Sequence, residues 1–531
     1  MRPAVFMSFT KFLIYILISI QFLLSSCTAW TIYNLSEDGE TVTCDHIGME
    51  ILKETKGCSV ISGEIISLPN LPSDTDFIEF SVIDNKNNIL FSSQHNSSDT
   101  VEVEFPVLSP GIESVSIVFS DDSGAVISRT YFEYSPLFAG VKFNREINIF
   151  RKELNNIVPA PFCSFDGPSI EPEKIRSVFS KNGRFLIVSS SVFEPSPGFM
   201  DPFVEHTPSG VETIIYDAVN CSEIQRISAS GGIDSITYNP GNEPGISTFV
   251  YAALTNEQWT INRLFYNEKT KEKNLSTISI PMVSLSYPPW LFSTGDSIFI
   301  GDTSGRYSTF TENGKIFYGP VENPDDFLLC ESTGVSVPAG HIPLPDRSGF
   351  FVNCIGIQDE VVFNNINFVD LSNSPPTIVA ENADVSNRII PFSMSMNHFG
   401  SFYPIHGFVS GNSNIFDWLI FHGDNTGILS REISLPHLET NLIFSTPIDE
   451  ENILIYQSIM FSSVPGGAIL NTLTFESTLT AVPLNFAVYV HDNVLLISTD
   501  DGLFLDSFEA VKNNNALIVS TDPYLHIASQ Y

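Results

Sequence analysis

Ile175-Arg-Ser-Val-Phe-Ser-Lys-Asn-Gly-Arg-Phe-Leu-Ile-Val-Ser-Ser190 reads as a strand, a tight turn and a second strand that is apolar along its whole length. Three later segments share the pattern of an apolar strand running into an Asp, Thr or Gly turn: Ser297-Ile-Phe-Ile-Gly-Asp-Thr-Ser-Gly-Arg306, Trp418-Leu-Ile-Phe-His-Gly-Asp-Asn-Thr-Gly427 and Val494-Leu-Leu-Ile-Ser-Thr-Asp-Asp-Gly502. A strand that reads apolar throughout is buried on both faces, and the hairpin at its end needs Gly or Asp to reverse direction. From about residue 170 to Tyr531 no long amphipathic helix interrupts the β-branched and aromatic runs, and about 360 residues are too many for one sandwich, so repeated β units are expected.

The Ser180-Lys-Asn-Gly-Arg184 turn between its two strands resembles the blades of WD-repeat and YVTN-type β-propellers. The resemblance implies an all-β propeller over residues 173–531. Grouping the strands gives starts near residues 175, 229, 278, 321, 376, 433 and 481, hence seven blades, consistent with about 45–50 residues per blade. The rival layout is a pair of β-sandwich domains.

Between Trp30 and Ser135 the chain reads as seven or so short strands, which suits a sandwich. Val101-Glu-Val-Glu-Phe105 alternates strictly, and Ser114-Val-Ser-Ile-Val-Phe119 places Val115, Ile117 and Phe119 on one face before Asp121-Asp-Ser-Gly124 turns the chain. Ile83-Asp-Asn-Lys-Asn-Asn88 makes another turn, because Asn and Asp bond their own backbone. The stretch from Leu108 to Ile127 resembles the closing hairpin of immunoglobulin-like modules on bacterial surface proteins, which implies a spacer or adhesive unit over residues 30–135. Residues 136–172, with Pro136, Pro159, Pro161, Pro168 and Pro172, read as a junction.

Arg2 and Lys11 precede the apolar run Phe12 to Leu24, the form of a secretory leader over residues 1–26. Leu24-Ser25-Ser26-Cys27 resembles the bacterial lipobox, which implies lipidation of Cys27 and an exported, lipid-anchored protein of the cell envelope. Cleavage after Ala29 and free secretion is the rival. An uncleaved anchor would need about 20 apolar residues, which the run does not supply. The remaining cysteines, Cys44, Cys58, Cys163, Cys221, Cys330 and Cys354, are even in number, as expected of disulfides in an exported chain. Close spacing favours Cys44 with Cys58 and Cys330 with Cys354, leaving Cys163 for Cys221. The sequons at Asn34, Asn96, Asn220 and Asn274 matter only in a eukaryotic host.

With 25 Lys plus Arg against 61 Asp plus Glu, the formal charge is -36, and 43% of residues are apolar. The chain can bury a large core, which excludes disorder, while its acidity argues against nucleic acid or an anionic membrane surface as a partner. No nucleophile elbow, zinc-binding helix or phosphate-cradling loop occurs. His398 with His406, His422 with Asp424, and His491 with Asp492 are weak metal pairs, and Asp121-Asp122 and Asp500-Asp501 fit solvated turns better than a calcium loop. Ser498-Thr-Asp-Asp-Gly502 matches the core of the Asp-box, a structural hairpin of sialidase-type propellers, and occurs once. No catalytic, cofactor or metal residue is therefore assigned. The expected function is non-enzymatic binding of a protein or glycan, with membrane attachment only through the N-terminal lipid. The alternative, by analogy of fold, is a propeller hydrolase or lyase acting on a carbohydrate or lactone.

Overall fold

The computed structural model describes, between residues 50 and 529, the strands and most of the turns joining them. It leaves aside residues 1–49 and shorter stretches, among them 52–58, 191–210, 279–287, 303–314, 397–401, 409–416, 435–442 and 458–465. Cys27, Cys44, Cys58 and Cys330 lie outside the described residues, as does the leader. The chain is all-β and divides into two compact units, one within Met1–Tyr134 and one chiefly Ser135–Tyr531.

In the first unit a three-stranded sheet joins Glu50–Ile51, Ile65–Leu68 and Val101–Glu104. A five-stranded sheet runs in the order Ser59–Ile61, Val126–Ser135, Ile112–Ser120, Phe77–Asp84 and Ile89–Asn96. Alternation decides which face is buried: Ile78, Phe80 and Val82 pair across from Phe119, Ile117 and Val115, and of these Ile78, Phe80, Val82, Ile117 and Phe119 are buried. The expected hairpin forms. Its turn is closed by Asp121, whose Oδ1 accepts hydrogen bonds from Ser123 N, Ser123 Oγ and Ala125 N at 2.9, 2.6 and 2.8 Å, while Gly124 takes φ +79°. The Ser123 hydroxyl and the Ala125 amide hold the Asp121 carboxyl below its usual range.

The second unit is a succession of antiparallel meanders: a five-stranded sheet, an eight-stranded sheet that divides into two meanders of four, and five four-stranded sheets. Their opening strands, in order, are Tyr524–Ser529, Ile175–Phe179, Ile236–Pro240, Trp290–Thr294, Val335–Pro343, Ile389–Met396, Ile443–Pro447 and Phe486–His491. The second and third sheets are joined through the single pair Ser230 and Ala253. Each described core bridges two consecutive sheets. Leu186 and Val188 pack with Leu137, Val141, Ile147 and Ile149 of the first sheet, whereas their chain neighbours Phe185 and Ile187 pack with Phe249, Tyr251 and Leu264 of the third. This is why Phe185–Ser190 is apolar throughout: its two faces belong to two different cores. Similar cores join the third sheet to the fourth, the fourth to the fifth and the seventh to the eighth. Contacts of Ile389–Met396 with Val361–Asp370 and with Ile443–Pro447 continue the chain of neighbours through the sixth sheet.

The ring closes through the C-terminus. Tyr524–Ser529 pairs with Leu137–Lys142, and Phe138, Phe150, Tyr524 and Ile527 share a core with Leu496 and Leu503 of the eighth sheet. Successive radial meanders that return to their start have the layout of a β-propeller. The expected starts at 175 to 481 fall at or shortly before seven of the opening strands, and one further opening strand, Tyr524–Ser529, is described. Its sheet arises where a junction was expected. Residues 136–172 hold Leu137–Lys142, Glu146–Glu153, Asn156–Ile157 and Cys163–Asp166, and their sheet is completed by a strand some 380 residues away, beyond any local repeat signal.

Candidate functional site

Acidic residues are distributed radially. The opening strand and the second strand of every sheet carry no Asp or Glu, whereas the third and fourth strands carry many, such as Glu212, Asp217, Asp325 and Asp326. Burial accounts for the second strands, since Phe185–Ser190 is buried at every position. It does not account for the opening strands, where Arg176, Val178, Ser293, Thr294, Phe486, Val488 and His526 are only partly buried or exposed. Val178 is 40% exposed although it lies within a strand flanked by its own sheet and by Tyr524–Ser529, so the solvent it meets is that of the ring's centre.

Polar contacts at this centre link one opening strand to the next. His526 of the first sheet meets Ser177 of the second, with Nδ1 accepting from the Ser177 amide at 3.3 Å and lying 2.9 Å from its hydroxyl. An Nδ1 that accepts from a backbone N–H carries no proton, so this ring is neutral. The Phe486 ring of the eighth sheet packs at a tilt against the same imidazole, with ring centroids 4.4 Å apart. Burial, together with the Arg176 charge, lowers the His526 pKa to about 3. A Ser–His pair is a nucleophile–base geometry, but an imidazole this weakly basic is a poor acceptor for a serine proton at neutral pH. Between the third and fourth sheets Thr237 Oγ1 lies 2.9 Å from Ser293 Oγ, which donates to the Tyr238 carbonyl at 2.8 Å.

A second polar cluster lies in the interface between the second and third sheets. Arg184, from the Ser180-Lys-Asn-Gly-Arg184 turn, directs one nitrogen to Asp217 Oδ2 at 3.0 Å and another to Glu268 Oε2 at 2.9 Å. All three side chains are buried. Asp217 also accepts from Asn220 N and Nδ2 at 2.9 and 2.7 Å, and Glu268 accepts from Ser247 at 2.6 Å. The turn that presents Arg184 is built by Ser180, whose Oγ accepts from Phe185 N, and by Gly183 at φ +71°. The cluster is closed to solvent and joins neighbouring sheets; its arrangement is that of a clamp.

Cys163 and Cys221 form a disulfide, with Cα atoms 5.3 Å apart. It ties the outer edge of the first sheet to a turn of the second. Cys354 lies on Gly349–Gln358, opposite Pro338 and Asn365. His406 lies on Phe402–Phe408 while His398 falls outside the described residues. His422 and Asp424 sit at the end of Asp417–Asp424, where Asp424 pairs with Gly427 across the hairpin. His491 ends its strand, and Asp492 is not described. Among the described residues no three His, Cys, Asp or Glu side chains gather into a metal-binding group. In the Ser498-Thr-Asp-Asp-Gly502 hairpin, Asp501 N donates to Thr499 Oγ1 at 3.1 Å and buried Ser498 bridges to the closing strand, accepting from Tyr524 N at 3.1 Å and donating to Tyr524 O at 2.6 Å. Arg176 and His526 were not singled out by the sequence. Their significance depends on neighbours hundreds of residues away.

No family model and no curated protein matches the chain. Solved structures similar to it include the hydrazine synthase of Kuenenia stuttgartiensis, at 11% identity over 73% of this chain and 99% of that one, with a TM-score of 0.32. The dihydro-heme d1 dehydrogenase NirN matches at 13% over 77% and 74%, with a TM-score of 0.36. The WD40 domain of SCAP from fission yeast matches at 9% over 68% and 90%, with a TM-score of 0.38.

Proposed function

We propose that this chain is an exported, non-catalytic binding protein whose eight-bladed propeller engages a protein partner, and whose N-terminal unit is an immunoglobulin-like spacer. The observation that carries the reading is the absence of Asp and Glu from all eight opening strands of a chain with 61 acidic residues. Glycoside hydrolysis uses a pair of carboxylates, and general acid–base chemistry needs a group that titrates near the working pH. The opening strands offer instead hydroxyls, aliphatic and aromatic side chains, one arginine and three histidines, His341, His491 and a His526 ring held neutral, with no carboxylate to pair with them on those strands. Division of the first unit into sheets of three and five strands supports the spacer. Export and anchoring rest on the leader at 1–26 and on the Leu24-Ser-Ser-Cys27 tetrapeptide.

Purified mature protein should turn over no member of a panel of chromogenic glycosides and lactones. Hydrolysis that survives repurification and is lost on substitution of a propeller residue would sink the reading in favour of the hydrolase. Separately, Cys27→Ala should abolish labelling by radioactive fatty acid and release the protein from membranes; unchanged fractionation would remove the anchor while leaving the binding role untouched.

A further inference from the structure

Arg176 is the only Lys or Arg on the eight opening strands. It is partly buried and has no ion-pair or hydrogen-bond partner among the described residues. Other arginines nearby are ion-paired: Arg184, in the turn before Phe185–Ser190, with Asp217 and Glu268, and Arg226 with Glu212 and Glu223. In a chain where acids outnumber cations by 61 to 25, an arginine with no carboxylate partner among the described residues stands out.

Alternation along Ile175–Phe179 gives the site its direction. Ile175, Ser177 and Phe179 are buried toward the first sheet, so Arg176 and Val178 occupy the opposite face, and Val178 opens onto the centre. On the side of the first sheet stand the neutral His526, on which the Arg176 charge acts, and the partly buried Phe486 that packs on its ring. A partly desolvated guanidinium gains most from a planar anion that it can meet with two parallel hydrogen bonds, which describes a carboxylate better than a hydroxyl or an amide.

We propose that the centre of the propeller is a carboxylate-binding site, in which Arg176 receives an acidic group of a protein partner and Val178 contacts the apolar atoms beside it. The carboxylate comes either from an Asp or Glu side chain or from a chain terminus. This inference rests on the reading of the propeller as a protein-binding unit and adds the residue and the chemistry. The net charge of -36 repels an acidic partner at long range, but screening at physiological salt confines that repulsion to about 8 Å, inside which Arg176 decides.

The test uses immobilised full-length mature protein and three pools of capped random hexapeptides: amidated peptides containing one Asp or Glu, the same pool with Asn or Gln in its place, and acid-free peptides with a free C-terminal carboxylate. At least one carboxylate-bearing pool should be retained at least tenfold over the amide pool. Arg176→Gln should erase that difference, and Arg176→Lys should restore part of it. Because Arg176 has no partner to lose, both variants should melt within a degree or two of the parent; if Arg176→Gln fails to fold, competition of retention by hippurate but not by its amide gives the same answer on the parent protein. Retention by the first pool alone assigns a side chain, and by the third alone a terminus. Equal retention of all pools, unchanged in Arg176→Gln, overturns the Arg176 site and leaves protein binding standing. No retention of any pool overturns both.

Discussion

Arg184 and His526 show how much a single residue can hold in this ring. Removing Arg184 leaves the buried Asp217 and Glu268 facing each other with only the half-exposed Lys271, 3.8 Å from Asp217, to offset their charge, and breaking such a buried pair costs about 3–5 kcal/mol. Arg184→Ala should therefore lower the urea midpoint of the second unit by that equivalent, whereas Lys512→Ala, which breaks an exposed pair with Glu509, should shift it by less than about 1 kcal/mol. His526 makes a pH prediction. Its pKa near 3 in the folded chain lies below the unfolded value of about 6.5, so between those limits the unfolded chain binds the proton more tightly and stability rises with pH. Above pH 7 the ring is neutral in both states and contributes no dependence. On acidification from 6.5 the fold should lose about 2 kcal/mol by pH 4.5 from this group. In His526→Asn, whose carbonyl can still accept from the Ser177 amide, the slope of stability against pH over that window should shrink; an unaltered slope would assign it to other groups.

At the scale of elements, much of the second unit is legible because a hairpin's needs are local. Gly183 and Gly502 occupy positive φ, the latter with a site for Cβ only 2.3 Å from Ser520 O, and both stand in turns that the sequence marks with Gly beside polar residues. Strands such as Val494–Thr499 announce double-sided burial by their composition. The partners of those strands are not local. Nothing near Arg184 points to Glu268 in the next sheet, and nothing near Ser177 points to His526, so the turn containing Arg184 could be read while its role as a clamp could not. The disulfide lies between these cases: Cys163 and Cys221 are separated by 58 residues, and their pairing followed in the sequence only from assigning the closer cysteines to one another. Because Cys163 belongs to the first sheet and Cys221 to the second, the bond fastens the segment that the closing strand must find. Cys163→Ser with Cys221→Ser should lower stability by about 2–4 kcal/mol, measured against the oxidised parent, and reduction of the parent should reproduce most of the loss.

For the whole second unit, closure is the step that no repeat encodes. The first sheet draws four strands from residues 137–166 and its innermost from Tyr524–Ser529, so the ring cannot be completed until Tyr524–Ser529 returns to Leu137–Lys142. The closing strand buries Tyr524, Leu525, Ile527 and Ala528, and Tyr524 also accepts a hydrogen bond from Asn148 Nδ2 at 3.1 Å and is held by Ser498. At about 1.5–3 kcal/mol per large apolar side chain, that burial is worth on the order of 6 kcal/mol, comparable with the 5–15 kcal/mol that separates most folded domains from unfolded ones. Loss of the strand would also leave Leu137–Lys142 as an open apolar edge, a template for intermolecular pairing. A chain ending at residue 521 should therefore aggregate or unfold below physiological temperature, while the first unit, whose sheets draw only on residues 50–135, keeps its own cooperative transition. A synthetic peptide of residues 522–531 added during refolding should restore the upper transition of the truncated chain, in proportion to its concentration. A truncated chain that melts like the parent without the peptide would mean that the ring holds without its closing strand, and that the eight sheets are secured by their neighbouring cores alone.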